Sequence, residues 1–193
     1  GPELTNYSDN GVLRGSKSEP YEGGIRVPMA IKWPSVYPSG LSFDKNISSL
    51  DFFSTIIGSA NIDFPKKKSL DGVDLTPCLV DSDCSALDRF LYFRSQAGWK
   101  VVLSPHSVKI VSHDITSQFK KKNTESYDLI NDPSEEHPNY KDHQHNHSDM
   151  KKNYKLWAQN FPGPSFSGVG NEGFPELTLF FELKEKLILL YFT

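Results

Sequence analysis

Cysteine is scarce. The 193 residues hold two, Cys78 and Cys84. With no second pair to complete a tetrahedral site, the thiols argue against zinc. They lie six apart in a stretch rich in Asp and Ser, where a local disulfide and two free thiols are both open, and they do not set a redox compartment. An excess of one charge is also lacking: 21 Lys and Arg against 24 Asp and Glu leave a formal net charge of -3, which gives no footing for a nucleic-acid partner. Long apolar runs are missing too. The most apolar stretch, 174–193, carries Glu182, Lys184, Glu185 and Lys186, so a membrane span is not expected and an amphipathic helix or extra strand is. No basic and apolar leader opens the chain, and it begins Gly-Pro-Glu rather than with Met. The expectation is a processed start or a piece of a longer chain. Internal repeats are absent.

What is present can build a core. Apolar residues make up 37% and aromatics 12%, with 13 Phe, 8 Tyr and 3 Trp, which excludes a disordered composition. The length suits one domain to one and a half. Three Asn-x-Ser/Thr sequons, at Asn6, Asn46 and Asn146, lend weak support to a secretory route.

Ile25, Val27, Met29, Ile31 and Trp33 alternate with Arg26, Pro28, Ala30 and Lys32. That predicts a strand over 25–33, entered from the Gly23-Gly24 turn and irregular or at an edge at Pro28. A helix is expected over 49–59, capped by Ser48 or Ser49, with Leu50, Phe53, Ile56, Ile57 and Ala60 facing a core. Lys66-Lys67-Lys68 reads as a solvated loop. Short strands are expected at 90–93, 99–103, 108–111 and 127–130, forming a small antiparallel sheet, with Lys109 half-exposed. A helix over 149–160, capped by Ser148, would put Met150, Tyr154 and Trp157 on one face. Residues 162–175 read as a linker.

Chemistry concentrates in residues 8–28, SDNGVLRGSKSEPYEGGIRVP. Asp9 and Asn10 are adjacent hard-oxygen donors in a turn closed by Gly11. A carboxylate beside an amide carbonyl suits Ca²⁺ or Mg²⁺, although Asp-Asn-Gly is also a common turn and two residues cannot fill six or more coordination positions. Lys17 offers a compact cation to an anionic oxygen, or is a plain surface lysine. Tyr21-Glu22-Gly23-Gly24 lets the backbone turn sharply, and Arg26 is placed to pair with Glu22 or Asp9. His137, His143, His145 and His147 cluster, and a polar loop is favoured there over a metal site.

Taken together, S-D-N-G followed by G-x-K-x-x-x-Y-E-G-G-x-R-x-P resembles the sulfatase family, and the arylsulfatase A-like group within it. Ser48-Ser49-Leu50-Asp51-Phe52-Phe53-Ser54-Thr55 resembles the family's S-S-L-D-x-x-P-T helix start, with Ser54 where proline is usual. Leu70-Asp71-Gly72-Val73-Asp74-Leu75, Leu91-Tyr92-Phe93-Arg94 and the Y-D-L-x-x-D-P-x-E pattern over 127–135 extend the likeness from about residue 5 to 160. The resemblance implies an incomplete α/β, alkaline-phosphatase-like fold. Residues 1–80 would be the end of the catalytic domain, 81–161 a C-terminal antiparallel-sheet subdomain with a packed helix, and 162–193 a linker and apolar tail. It implies sulfuric ester hydrolysis, with Asp9 and Asn10 on a Ca²⁺ ion, Lys17 on the sulfate, and a secreted or lysosomal location. The family's nucleophile is a formylglycine made from Cys or Ser in C/S-x-P-x-R. Neither cysteine fits that motif, and Ser18-Glu19-Pro20-Tyr21-Glu22 has Glu where Arg is needed, so this chain carries no nucleophile. The expected substrate is a sulfated sugar, lipid, steroid or aryl ester. The isolated chain is expected to be inactive, with exposed apolar surface that leaves a homo-oligomer among the outcomes. Two alternatives remain: a phosphate or phosphonate esterase of the same superfamily, and a catalytically inactive sulfatase-like fragment acting as an interaction module.

Overall fold

The computed structural model describes residues 8–65, 69–95, 98–113, 123–139 and 144–160. Lys66-Lys67-Lys68, His143, the side chains of 144–146, the sequon at Asn6 and the stretch 161–193 fall outside the described residues. In chain order the elements are α1 (Glu22–Ile25), α2 (Asp51–Ser59), α3 (Thr76–Asp81), a 3₁₀ turn (Ser85–Leu87), β1 (Leu91–Arg94), β2 (Lys100–Leu103), β3 (Val108–Ser112), β4 (Thr124–Asp128) and α4 (Gln144–Asn160).

The four strands form one antiparallel meander in the order β1-β2-β3-β4. Phe93 lies opposite Val101, Val101 opposite Val111, and Lys109 opposite Tyr127. Period-2 alternation then sorts the side chains into two faces. Val102, Val108 and Ile110 pack under Met150 and Tyr154 of α4, with Tyr92 and Trp157 at the margin. Val101, Val111 and Tyr127 pack on the other face against Tyr21, with Ile25, Phe93 and Trp99 around them. Residues 14–25 therefore cover one side of the sheet and α4 the other, and every residue of β2 and β3 is buried.

That two-sided cover corrects the reading of Lys109. A charge between Val108 and Ile110 suggests a wet face, but Lys109 is fully buried. The last strand also sits earlier than expected, at 124–128 rather than 127–130. The Asp128 carboxylate ends it by accepting the amide N–H of Ile130 at 3.0 Å, which turns the chain. Helix α4 begins at Gln144, so Ser148 lies inside it and caps nothing. The added turn seats His147 over β4, with Nε2 2.8 Å from Ser126 Oγ.

No strand forms at 25–33. Gly23 and Gly24 let the chain wind into α1 instead, with Gly24 and Ile25 N–H donating to Tyr21 O and Arg26 N–H to Glu22 O. Beyond α1, Pro28 has no N–H to offer a ladder, and no partner strand lies alongside among the described residues. The alternation survives in part, because Met29, Ile31 and Trp33 line one apolar groove against Phe52 and Ile56 of α2.

Helix α2 lies where expected but faces differently. Its buried stripe is Asp51, Ser54 and Thr55, while Leu50 and Phe53 are more than half exposed. The reason is a polar docking of the Leu-Asp-Gly-Val-Asp-Leu segment. Val73 N–H donates to Asp51 Oδ1 (3.0 Å), Leu75 N–H to Thr55 Oγ1 (3.0 Å), and Ser54 Oγ–H to Gly72 O (2.8 Å). The other Asp51 oxygen accepts Ser48 N–H and a short ion pair from Arg89. Leu50 takes the N-cap position and offers no side-chain bond, while the expected Ser48 contributes through its Oγ, which accepts the Leu50 N–H at 3.3 Å. A third core, Leu75, Cys78 and Leu87, is closed by a Cys78–Cys84 disulfide with a Cα separation of 4.4 Å, which settles the choice between a bridge and free thiols.

Candidate functional site

The segment 8–25 is a loop folded on itself by one amide. Asn10 Nδ2–H donates to Gly15 O (2.8 Å) and to Gly23 O (2.7 Å). Both hydrogens are used on carbonyls, so the planar amide turns Oδ1 the other way as an acceptor. Asp9 Oδ1 accepts Gly11 N–H at 2.9 Å, an Asx turn made comfortable by the positive φ of Gly11. Its second oxygen is not used by that turn. Asp9 is exposed and Asn10 half-buried. Gly23 is required at the crossing: a Cβ there would run into Gly15 O, the Asn10 amide and Arg14 O.

Lys17 sits at the tip of a tight turn. Glu19 N–H donates to Ser16 O (3.0 Å), while the Glu19 carboxylate takes back the Ser16 N–H (2.7 Å) and hydroxyl (3.0 Å). Ser18 adopts φ 75°, a conformation that costs a non-glycine residue of order 1 kcal/mol. Its carbonyl is held by the Trp99 indole N–H at 2.8 Å. The Lys17 side chain is exposed. The structure thus fastens Asn10 to Gly15, two residues before Lys17, and fixes the Lys17 turn to the sheet. Arg26 takes neither partner proposed for its side chain, because Glu22 turns inward to Lys109.

Two polar clusters fix this loop to the sheet. In the first, buried Lys109 Nζ donates to Glu22 Oε1 (2.9 Å) and pairs with Glu135 Oε1 (2.8 Å), while Glu135 Oε2 accepts Glu22 N–H (2.6 Å). Burial raises the Glu135 carboxyl above its ordinary value even though Lys109 pulls it down. In the second, Arg14 donates to Tyr127 Oη (2.8 Å) and Glu135 O (2.9 Å) and lies 3.7 Å over the Tyr21 ring. Both tyrosine hydroxyls donate to Glu125 Oε2, at 3.0 and 2.8 Å. Burial first, and the Glu125 charge next, push the Tyr21 phenol up to about 12 and Tyr127 higher still. Local pattern did not reveal Lys109, Glu135, Arg14, Tyr127 or Glu125 as parts of this loop's support. The available signal was the charge of Lys109 inside an apolar strand, which demands a counter-charge wherever the strand is buried.

Among the described residues no group of three or more His, Cys, Asp and Glu stands together as a metal site. What the loop offers a hard cation is two oxygens, the Asp9 carboxylate and Asn10 Oδ1. Among the described residues the histidines form no such group. His137 is exposed, 3.9 Å from Asp132, His147 is buried on α4 with Nε2 against Ser126 Oγ, and His113 Nε2 lies 3.3 Å from Tyr21 Oη.

Residues 16–160 match the family model described as N-sulphoglucosamine sulphohydrolase, C-terminal. The chain belongs to the sulfatase family. Steryl-sulfatase of Rattus norvegicus is 33% identical over 103 residues, which cover 51% of this chain and 17% of that protein. A sulfatase of Formosa agariphila is 30% identical over 141 residues, covering 65% and 26%. The crystal structure of Ps i-CgsB in complex with k-i-k-neocarrahexaose superposes with a TM-score of 0.73 at 25% identity, over 86% of this chain and 36% of that one. The antiparallel sheet with its helices is thus part of a sulfatase fold, and the chain spans about a quarter or less of these curated relatives. No helix among the described residues is long and apolar enough to cross a membrane.

Proposed function

We propose that this sulfatase-family chain supplies calcium and sulfate contacts to a sulfuric ester hydrolase of the arylsulfatase-like kind, with Asp9 and Asn10 on Ca²⁺ and Lys17 on the sulfate. The observation that carries the reading is the Asn10 amide. Its nitrogen is committed to Gly15 O and Gly23 O, which leaves Oδ1 as an acceptor on the residue next to Asp9, on the loop that bears Lys17. A divalent cation, when bound, neutralises charge on a sulfate oxygen. Lys17 adds a point charge, and Asn10 keeps the two halves of the loop in register. Both thiols of the chain are joined in a disulfide and no Ser stands in a C/S-x-P-x-R motif, so this reading places the formylglycine nucleophile in sequence outside these 193 residues. The substrate is a sulfate ester of a sugar, lipid, steroid or aryl alcohol, and the location extracytoplasmic, secreted or lysosomal.

The test has two arms. The 193-residue chain is expected to turn over no aryl sulfate; hydrolysis abolished by Asp9→Ala would show that the chain needs no outside nucleophile. In a ¹⁵N NMR titration, calcium chloride is expected to shift Asp9, Asn10 and Gly11 with an affinity on the order of millimolar, as two ligands leave most coordination to water. Sodium sulfate is expected to shift the Lys17 side chain. Asp9→Ala and Lys17→Ala should each erase their own response; shifts confined to other residues would refute the assignment. Anion binding with no turnover by any longer chain containing this one would favour the interaction-module reading.

A further inference from the structure

The fully buried Lys109 ammonium lies between two carboxylates on different parts of the chain, Glu22 at the start of α1 and Glu135 in the turn after β4. Both carboxylates are also buried. A charge cluster of this kind is a poor source of net stability, because removing three charges from water costs about what their attraction returns, and apolar replacements are often as stable. Its attested use is to fix register. Here the register in question is that of the Lys17 loop. Glu135 Oε2 accepts the N–H of Glu22, the first residue of α1, and Lys109 grips the Glu22 side chain of the same residue. One residue later, Gly23 N–H donates to Arg14 O at 2.7 Å and Gly23 O receives the Asn10 amide. Linked polar contacts and one peptide bond therefore run from Lys109 through Glu22 and Gly23 to Asn10, and through Asn10 to Gly15, two residues before Lys17.

We propose that Lys109 is a positioning residue for the anion- and cation-contacting loop, holding Asn10 and Lys17 in place through Glu22 without itself touching substrate. The apolar side chains on the same face, Val101 and Val111, would hold the loop by non-directional contact. Other hydrogen bonds tie the loop to the sheet at Arg14, Ser18 and Tyr21, but the Lys109 cluster is the one that holds Glu22, where α1 begins, by both its N–H and its side chain. The inference rests on the reading of Lys17 as a sulfate ligand, and the experiment separates the two.

The 193-residue chain and its Lys109→Met variant are titrated with sodium sulfate while the Lys17 side chain is followed by NMR, and amide hydrogen exchange is measured on both. The variant is expected to weaken the sulfate response at Lys17 by about fivefold or more and to lose more protection at Gly23 and Gly24 than at the amides of Val101, Val102 and Val111. Lys109→Arg, which keeps the charge, should recover part of both. Equal sulfate response and equal loop protection in Lys109→Met would overturn the proposal, as would a uniform loss of protection across sheet and loop. If Lys109→Met fails to fold, Glu22→Gln weakens the same link while leaving the Lys109–Glu135 pair, and the same loop-specific loss is expected of it. Absence of any sulfate response in the parent chain would remove Lys17 as the ligand, and the exchange pattern would still judge the clamp.

Discussion

The two faces of the sheet are covered by different means. Under α4 the contacts are mostly apolar, with one buried hydrogen bond between His147 and Ser126: Val102 and Ile110 meet Met150 and Tyr154, and Tyr92 stacks on Trp157 with ring centroids 5.1 Å apart. Under residues 14–25 the same sheet presents Lys109, Tyr127 and Glu125, and most of the directional contacts across that face are hydrogen bonds or ion pairs. Dispersion and burial hold α4 without prescribing its position to a fraction of an ångström. Hydrogen bonds between buried groups prescribe the position of the loop, because each misplaced donor costs its full desolvation. The face that carries candidate ligands is the one built from directional contacts.

Breaking each face in turn should expose that difference. Lys109→Met strands two buried carboxylates and should cost about 3–5 kcal/mol in urea unfolding, the largest effect expected. Met150→Ala should cost about 2–5 kcal/mol through the cavity it leaves under α4, with the Gly23 and Gly24 amides as protected, relative to the rest of the chain, as in the parent. Glu135 sharpens the contrast through pH. Burial raises its carboxyl above 4.5, so the folded chain holds that proton more tightly than the unfolded one. The stability from this group is present below about pH 4.5 and is lost as pH rises through the raised folded value. Glu135→Gln should therefore flatten the fall in stability just above pH 4.5, read from urea midpoints at pH 4 to 7. The smallest effect is expected of Lys17→Ala, within about 0.5 kcal/mol of the parent because the side chain is exposed, although it should remove the sulfate response.

Much of the sheet was legible. β1, β2 and β3 lie within about a residue of the expected spans because Val, Ile and Phe alternate there, and Met150, Tyr154 and Trp157 do share the sheet-facing side of α4. The motif in 8–28 was legible as a family resemblance, and the match over 16–160 supports it. Hidden from local pattern was everything decided by a distant segment. Helix α2 buries Asp51 and Thr55 rather than Leu50 and Phe53 because the backbone of 72–75 needs acceptors and donors. Lys109 is dry because residues some eighty-five positions earlier lie over it, as its contact with Glu22 shows. Periodicity within a strand reports which residues share a face and is silent on what covers that face.

The crossing at Gly23 has a last implication. With Gly15 O, the Asn10 amide and Arg14 O crowded where a side chain would begin, even one methyl group would act as a wedge, prising the staple open and turning the Asn10 amide. Misaiming a candidate ligand in this loop therefore takes no change of charge, only the smallest increment of volume at a glycine that has no side chain of its own.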